Sequence, residues 1–254
     1  MIKKWFFDYW DHFFHCTIIN VVFIFSLLIP IGIPAWTISA SIPVSLIILI
    51  AGILWLGILT SAAALYINEI VQYRTPEPRQ FFAFLRAGLP YGLLYAGLWA
   101  LVFFLALVVL PFYGAVDNIF GIIAFVCMFW TLILLTLAMQ YYFPIVAQLD
   151  KRPGKILRKM FIIFLDNPLF TISTFLCSVI MLILSGFTAF LLFGPAGVIL
   201  LGQVACKLRL YKYDYLEENP GASRRRIPWQ SLMYEDSQRV GSRSLKGLIF
   251  PWKD

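Results

Sequence analysis

Three stretches of this chain, 16–68, 87–149 and 167–206, contain no Lys, Arg, Asp or Glu apart from Asp117. A helix that crosses about 30 Å of hydrocarbon needs about 20 apolar residues. Each stretch is therefore too long for one crossing and fits a pair. Lipid offers no partner to backbone N–H and C=O groups, so the spanning segments are expected to be helices. An outer-membrane barrel would show short alternating strands instead of long apolar runs. With 61% hydrophobic and 13% charged residues, the chain also lies far from soluble domains, where about a quarter of residues are charged. The expectation is an all-α polytopic membrane helix bundle of about six spans.

The charges that remain are grouped. Lys3 and Lys4 open the chain, and Arg74, Arg79 and Arg86 lie between the first two apolar stretches. Lys151, Arg152, Lys155, Arg158 and Lys159 lie between the second and third, and the rest of the cations follow residue 206. Basic loops stay on the cytoplasmic side of a membrane. This places both termini inside, on the cytoplasmic side of the membrane. Anionic headgroups beside those loops account for the net charge of +7, and no separate basic domain suggests nucleic acid.

Residues 1–16 read as an interfacial amphipathic helix, residues 17–206 as the membrane domain and residues 207–254 as a basic cytoplasmic tail. In the first segment Ile2, Trp5, Phe6, Tyr9 and Phe13 recur at helical spacing, with Lys4, Asp8, Asp11, His12 and His15 opposite, as a solvated face. His12, His15 and Cys16 with the two acids lack the spacing of a metal site. Cys16, Cys127, Cys177 and Cys206 are scattered, without a C-x-x-C or a disulfide framework, and read as small buried hydrophobes.

Spans are expected at about 17–35, 44–67, 90–111 and 120–146. Pro30 and Pro34 should break the outer end of the first, and Pro144 should bend the inner end of the fourth. Gly57 and Ser61 sit one turn apart and allow close helix contact. In 148–168, Ile156, Met160, Ile163 and Phe164 share a face opposite Lys155, Arg158 and Lys159. Loops 68–89 and 148–168 look like two versions of one device, with Ile70-Val71 and Pro78 matching Ile145-Val146 and Pro153 at one offset around a proline-broken basic turn and an amphipathic run, as an internal duplication would leave. The last apolar stretch turns near 187–197, at Gly194-Pro-Ala-Gly197, as two short spans or as a re-entrant hairpin. The tail carries Arg224, Arg225 and Arg226, an anionic-lipid contact, and ends in an apolar patch of Leu248, Ile249, Phe250 and Trp252. That patch fits packing on the cytoplasmic loops, headgroups or a partner.

Several short motifs are similar to the bacterial YesL-like family of integral membrane proteins. They include Asn20, the AAALY run at 62–66, FFAF at 81–84, YFPIV at 142–146, Asp150 and Asn167-Pro168. The resemblance covers about residues 5–185. The longer connection between Asn20 and Ala62 and the basic tail depart from it. It implies a membrane protein of unknown activity, suspected of assisting carbohydrate uptake, and assigns no catalytic residue or cofactor.

No familiar nucleophile, phosphate-loop or metal motif appears, which argues against an enzyme and leaves no cofactor to expect. Asn20, Gln140 and Gln203 are the polar side chains available to interhelical hydrogen bonds or to a path through the spans. The sequence favours a non-enzymatic accessory or scaffold whose cytoplasmic face docks a partner membrane assembly. The alternative is a transporter or permease subunit for a small uncharged solute or lipid.

Overall fold

The computed structural model describes residues 1–224 and 226–241, and every regular element among them is a helix. A short helix α1 (Ile2–Asp11) leads into α2 (Phe13–Leu27), a π-helical turn at Leu28–Gly32 and α3 (Ile33–Thr37). Helix α4 (Ile42–Val71) returns. Helix α5 (Gln80–Phe104) goes out again, through a second π-helical turn at Leu105–Val109, into α6 (Leu110–Gly114). Helices α7 (Ile119–Met139) and α8 (Tyr142–Gln148) come back, and α9 (Pro153–Asp166) lies between this hairpin and α10 (Pro168–Gly186). Helix α11 (Pro195–Glu218), α12 (Trp229–Leu232) and α13 (Tyr234–Val240) complete the described chain.

The plan is one motif used three times: an amphipathic stretch at the charged end, a helix out, and a helix back. Helix α1, the first turns of α5, and α9 are the three amphipathic stretches. In α9 the predicted face is the buried one, with Ile156, Met160, Ile163 and Phe164 all at most 4% exposed. The first two hairpins share a further detail. Each outgoing helix slips into a π turn that ends two residues before a proline, Pro34 or Pro111. Ile33 N–H donates to the Leu28 carbonyl, and Leu110 N–H to the Leu105 carbonyl. Proline lacks an N–H and crowds the preceding turn, and a five-residue ladder step absorbs both effects. The first span is thus not broken at Pro30 and Pro34; it stays helical to Thr37. The fourth does break, four residues before Pro144, where the Gln140 carbonyl loses its donor and Tyr141 N–H turns to Ala138 at 3.0 Å.

Small residues set the closest helix pair. A Cβ added at Gly57 of α4 would meet the Gly92 carbonyl oxygen of α5 at 2.5 Å, and one at Gly92 would meet Ile58 Cα at 2.4 Å. One at Gly88 would meet Ser61 Oγ at 2.7 Å. Gly88, Gly92 and Ala96 are thus the α5 counterpart of the predicted Gly57–Ser61 face. With lipid as apolar as leucine, such close backbone contact is what binds one membrane helix to another.

The last apolar stretch corrects the six-span expectation. Five helices are long and apolar enough to cross: Phe13–Thr37, Ile42–Val71, Gln80–Gly114, Ile119–Gln148 and Pro168–Gly186. The sixth segment is the start of α11. Only about 12 apolar residues precede Lys207, roughly 18 Å of helix at 1.5 Å per residue, against about 30 Å of hydrocarbon. Its first turn meets Asn20 and Tyr9 of the first hairpin rather than the far end of the bundle. The third hairpin is therefore one span and a half-helix. The chain turns between them through three non-glycine residues in the left-handed region, Ala189, Phe190 and Phe193, at φ of 49°, 61° and 58°. Such residues persist only where their surroundings hold them.

The α4–α5 contact yields a paired test. Gly92→Leu should drive α4 and α5 apart and abolish the monodisperse peak in mild detergent. Gly97→Leu, on the same helix with nothing within 4 Å of a new Cβ, should leave the peak unchanged.

Candidate functional site

Backbone groups at the start of a helix have no partner within it, and a start among apolar spans must find partners elsewhere. Helix α11 begins in that situation, and side chains of α1 and α2 supply the partners. Ala196 N–H donates to Asn20 Oδ1 at 2.8 Å, and Asn20 Nδ2 donates to the Leu191 carbonyl at 3.0 Å. Phe193 N–H donates to the Tyr9 hydroxyl at 3.0 Å, and Trp5 Nε1 to the Gly197 carbonyl at 2.9 Å. Asn20 is thus an interhelical anchor, fully buried, with both ends of its amide used.

Gln203 is another such anchor, nearer the charged end. Its Nε2 donates to the Ala64 carbonyl at 3.1 Å, and its Oε1 accepts from Gln148 Nε2 at 2.6 Å. This joins α11 to α4 and α8. Gln140 stands at the α7–α8 break, where its Nε2 donates to the carbonyls of Leu137 at 2.8 Å and Thr171 at 3.2 Å. Its Oε1 is buried and has no hydrogen-bond partner.

Gln140 also lines a cavity of about 440 Å³ where the three hairpins meet. Phe23 of α2, Thr60 of α4 and Tyr95 and Trp99 of α5 form part of the wall. Phe143, Thr174 and Ser178 continue it, and Pro195, Ile199 and Gly202 of the half-helix close it. No charged side chain lines it. The volume lies within the roughly 300–1,000 Å³ of small-molecule sites, which are likewise mostly apolar with a few placed polar groups. Asn20 and Gln203 lie outside this wall, so only Gln140 of the three predicted polar residues reaches it. The aromatic residues, Thr60 and Gly202 read as ordinary membrane-helix residues in the sequence. Only the pairing of hairpins brings them together.

The charged end holds two ionic clusters, one buried and one partly buried, and of their members the sequence pattern presents Lys4 and Asp8 as solvated. Asp236 of α13 lies 3.7 Å from Lys4 and 3.6 Å from Lys207, and accepts from the hydroxyls of Tyr73 and Tyr211. Lys4 pairs with Asp8 at 2.9 Å and sits 3.8 Å from the centre of the Tyr73 ring. The expected solvated face of α1 is corrected here, since Lys4 and Asp8 are each only 7% exposed while Ile2 of the expected apolar face is 58% exposed. Partnering makes burial tolerable. Burial still pushes the Asp8 carboxyl up against the pull of Lys4, and pushes Lys207 down against Asp236.

The second cluster joins α9–α10 to α11. Asp166 accepts from Lys212 at 2.6 Å and from the Tyr213 hydroxyl at 3.0 Å, and Arg224 approaches it at 3.5 Å. Arg224 is thus partly engaged within the protein, and Arg226 is exposed. Arg225, Leu248, Ile249, Phe250 and Trp252 lie outside the described residues. Partial burial would raise the Asp166 carboxyl, but its bonds to Lys212 and Tyr213 outweigh this and hold it below its ordinary value.

Two outcomes follow from these geometries. Asn20→Leu strips partners from Ala196 N–H and the Leu191 carbonyl, and should cost about 2–3 kcal/mol in a detergent unfolding measurement. Asp166 stabilises the fold in its ionised form, because its folded pKa is depressed. That contribution is present above the unfolded pKa and is lost as pH falls through the folded one. The Tm gap between the protein and its Asp166→Asn variant should be full at about pH 7 and close towards about pH 3. A gap independent of pH would place the effect in packing. Comparison with family models, curated proteins and solved structures returned no match, so the YesL-like resemblance rests on its short motifs alone.

Proposed function

We propose that this chain is a non-enzymatic, multi-pass protein of a bacterial inner membrane that takes up a small, uncharged, largely apolar molecule between its helices. It would act as a transporter or permease subunit. The observation that carries this reading is the 440 Å³ uncharged cavity at the junction of the three hairpins, closed on one side by a half-helix. Transporters place substrates at the meeting point of their repeated units, beside discontinuous helices. The half-helix start, which in such proteins faces anionic substrates, is here capped by Asn20, and this favours an uncharged substrate. The grouping of basic residues at one end supports a cytoplasmic placement for that end and for both termini.

The docking of another membrane assembly is a second reading, supported by the exposed Lys151, Arg152, Lys155 and Arg158 around the start of α9. It places the partner on the charged end. The apolar tail patch that motivated it in the sequence lies outside the described residues.

Gly202 provides the test, because a Cβ there makes only ordinary contacts, at 3.6 Å from Pro144 and 3.8 Å from the Gln140 carbonyl. Gly202→Leu should fill part of the cavity without moving a helix. Protein purified from native membranes should release an uncharged small molecule on extraction, detected by mass spectrometry, and the variant should release much less. Equal amounts from both proteins would remove the cavity from the function. A stoichiometric partner protein that co-elutes with both would favour docking.

A further inference from the structure

Helix α13 rests on the body of the protein with little packing beneath it. Among its described side chains Asp236 alone is buried, and Tyr234, Glu235 and Ser237 beside it are exposed. A cavity of about 210 Å³ is lined by Met1, Val204 and Leu208 of the body and by Met233 and Ser237 at α13. Well-packed contacts leave few voids larger than a water molecule, so apolar contact contributes little to this attachment. The other fastenings are polar and lie at the surface. Arg239 sits 4.2 Å from the centre of the Tyr73 ring, and Lys3 donates to the Gly241 carbonyl at 3.3 Å. The Asp236 carboxylate is the main fastening.

The groups that receive this carboxylate are positioned without it. Lys4, Lys207, Tyr73 and Tyr211 converge on its two oxygens from α1, α11 and the loop after α4. Lys4 is held by Asp8 at 2.9 Å, and Lys207 by the Val71 carbonyl at 3.0 Å. Tyr73 N–H donates to the Ile70 carbonyl at 2.9 Å, and Tyr73 is kept in the left-handed region at φ 61°. Non-glycine residues held in that conformation cluster at ligand clamps and switch segments. None of these bonds involves α13. With Asp236 withdrawn, Asp8 is the one acid left in the cluster beside two ammonium groups, and a buried excess of charge of that kind calls for an anion. A phosphate group matches it. Its oxygens accept from ammonium and phenol groups as a carboxylate's do, and its charge is at least as large. We propose that these four side chains form a phosphate-binding cradle that Asp236 fills as an internal ligand, which makes α13 a strap released by a competing phosphate group. This cradle is separate from the cavity at the hairpin junction and does not depend on the cavity-binding reading. The phosphate group is carried by an acidic lipid headgroup or by a soluble ion.

The experiment follows hydrogen–deuterium exchange of the full chain in phosphatidylcholine nanodiscs and reads α13 against α9 and α11. Asp236→Asn keeps the size of the side chain and removes its charge. It should speed exchange across α13 about tenfold or more, while α9 and α11 keep their protection. Unchanged exchange in α13 of that variant would overturn the strap. The unaltered protein is then compared with and without phosphatidic acid in the nanodisc, and with inorganic phosphate against sodium chloride at equal ionic strength, which screens charge without filling the cradle. Faster α13 exchange with phosphatidic acid alone assigns the cradle to a lipid headgroup. Faster exchange with inorganic phosphate, beyond the chloride control, assigns it to a soluble ion. If neither exceeds its control, the cradle is overturned. If Asp236→Asn does not fold, the anion comparison on the unaltered chain decides alone.

Discussion

The structure depends on how the first turn of α11 is satisfied away from water. An N–H group without a partner in hydrocarbon costs several kcal/mol, so a helix that starts among spans must bring or borrow acceptors. This one borrows them from Asn20 and Tyr9, residues of the first hairpin and its leading helix. The loan fixes where the third hairpin turns, and with it the position of Pro195, Ile199 and Gly202 on the cavity wall. The left-handed Phe193 is held by the same contacts.

The fold class was legible because charge and hydropathy act over long windows. Uncharged stretches of that length have few outcomes in a bilayer, and the structure is a helical bundle with five candidate spans. Local patterns were legible too: Gly57 and Ser61 lie on a close helix contact, and the four apolar residues of α9 are buried as expected. The half-helix was harder to see. Gly194-Pro195 and Lys207 bound it in the sequence, but the choice between a short span and a re-entrant hairpin stays open there, and its contact with Asn20 is far away in sequence. Lys4 and Asp8 misled for a related reason. Periodicity reports that a polar face exists, but here that face meets Asp236, Lys207 and Tyr73, none of which the local pattern contains. The cavity was illegible because its wall draws between one and five residues from each of seven helices, and lipid removes the rule that apolar residues face inward.

The two ends of the bundle are built on different physics. At the apolar end the loops are short, and Asn118 caps α7 by accepting from Gly121 N–H at 2.9 Å. At the charged end, Asp236 and Asp166 each gather basic and phenolic groups from separate elements, so that α1, α11 and α13 close over the ends of the spans. The Asp166 cluster holds more basic than acidic groups, and the excess suits a surface beside anionic headgroups. Between these ends lies a region whose polar contacts are almost all neutral.

The anchoring of α11 also bears on how the chain is made. The bond from Asn20 to Leu191 closes a sequence separation of 171 residues, and that from Phe193 to Tyr9 one of 184. Contacts this remote form only after nearly all the intervening chain has left the ribosome, and closing such large loops is entropically slow. The first hairpin therefore enters the membrane with its buried asparagine unmatched and waits through the synthesis of two further hairpins. Among the described residues, the last apolar segment completes the first.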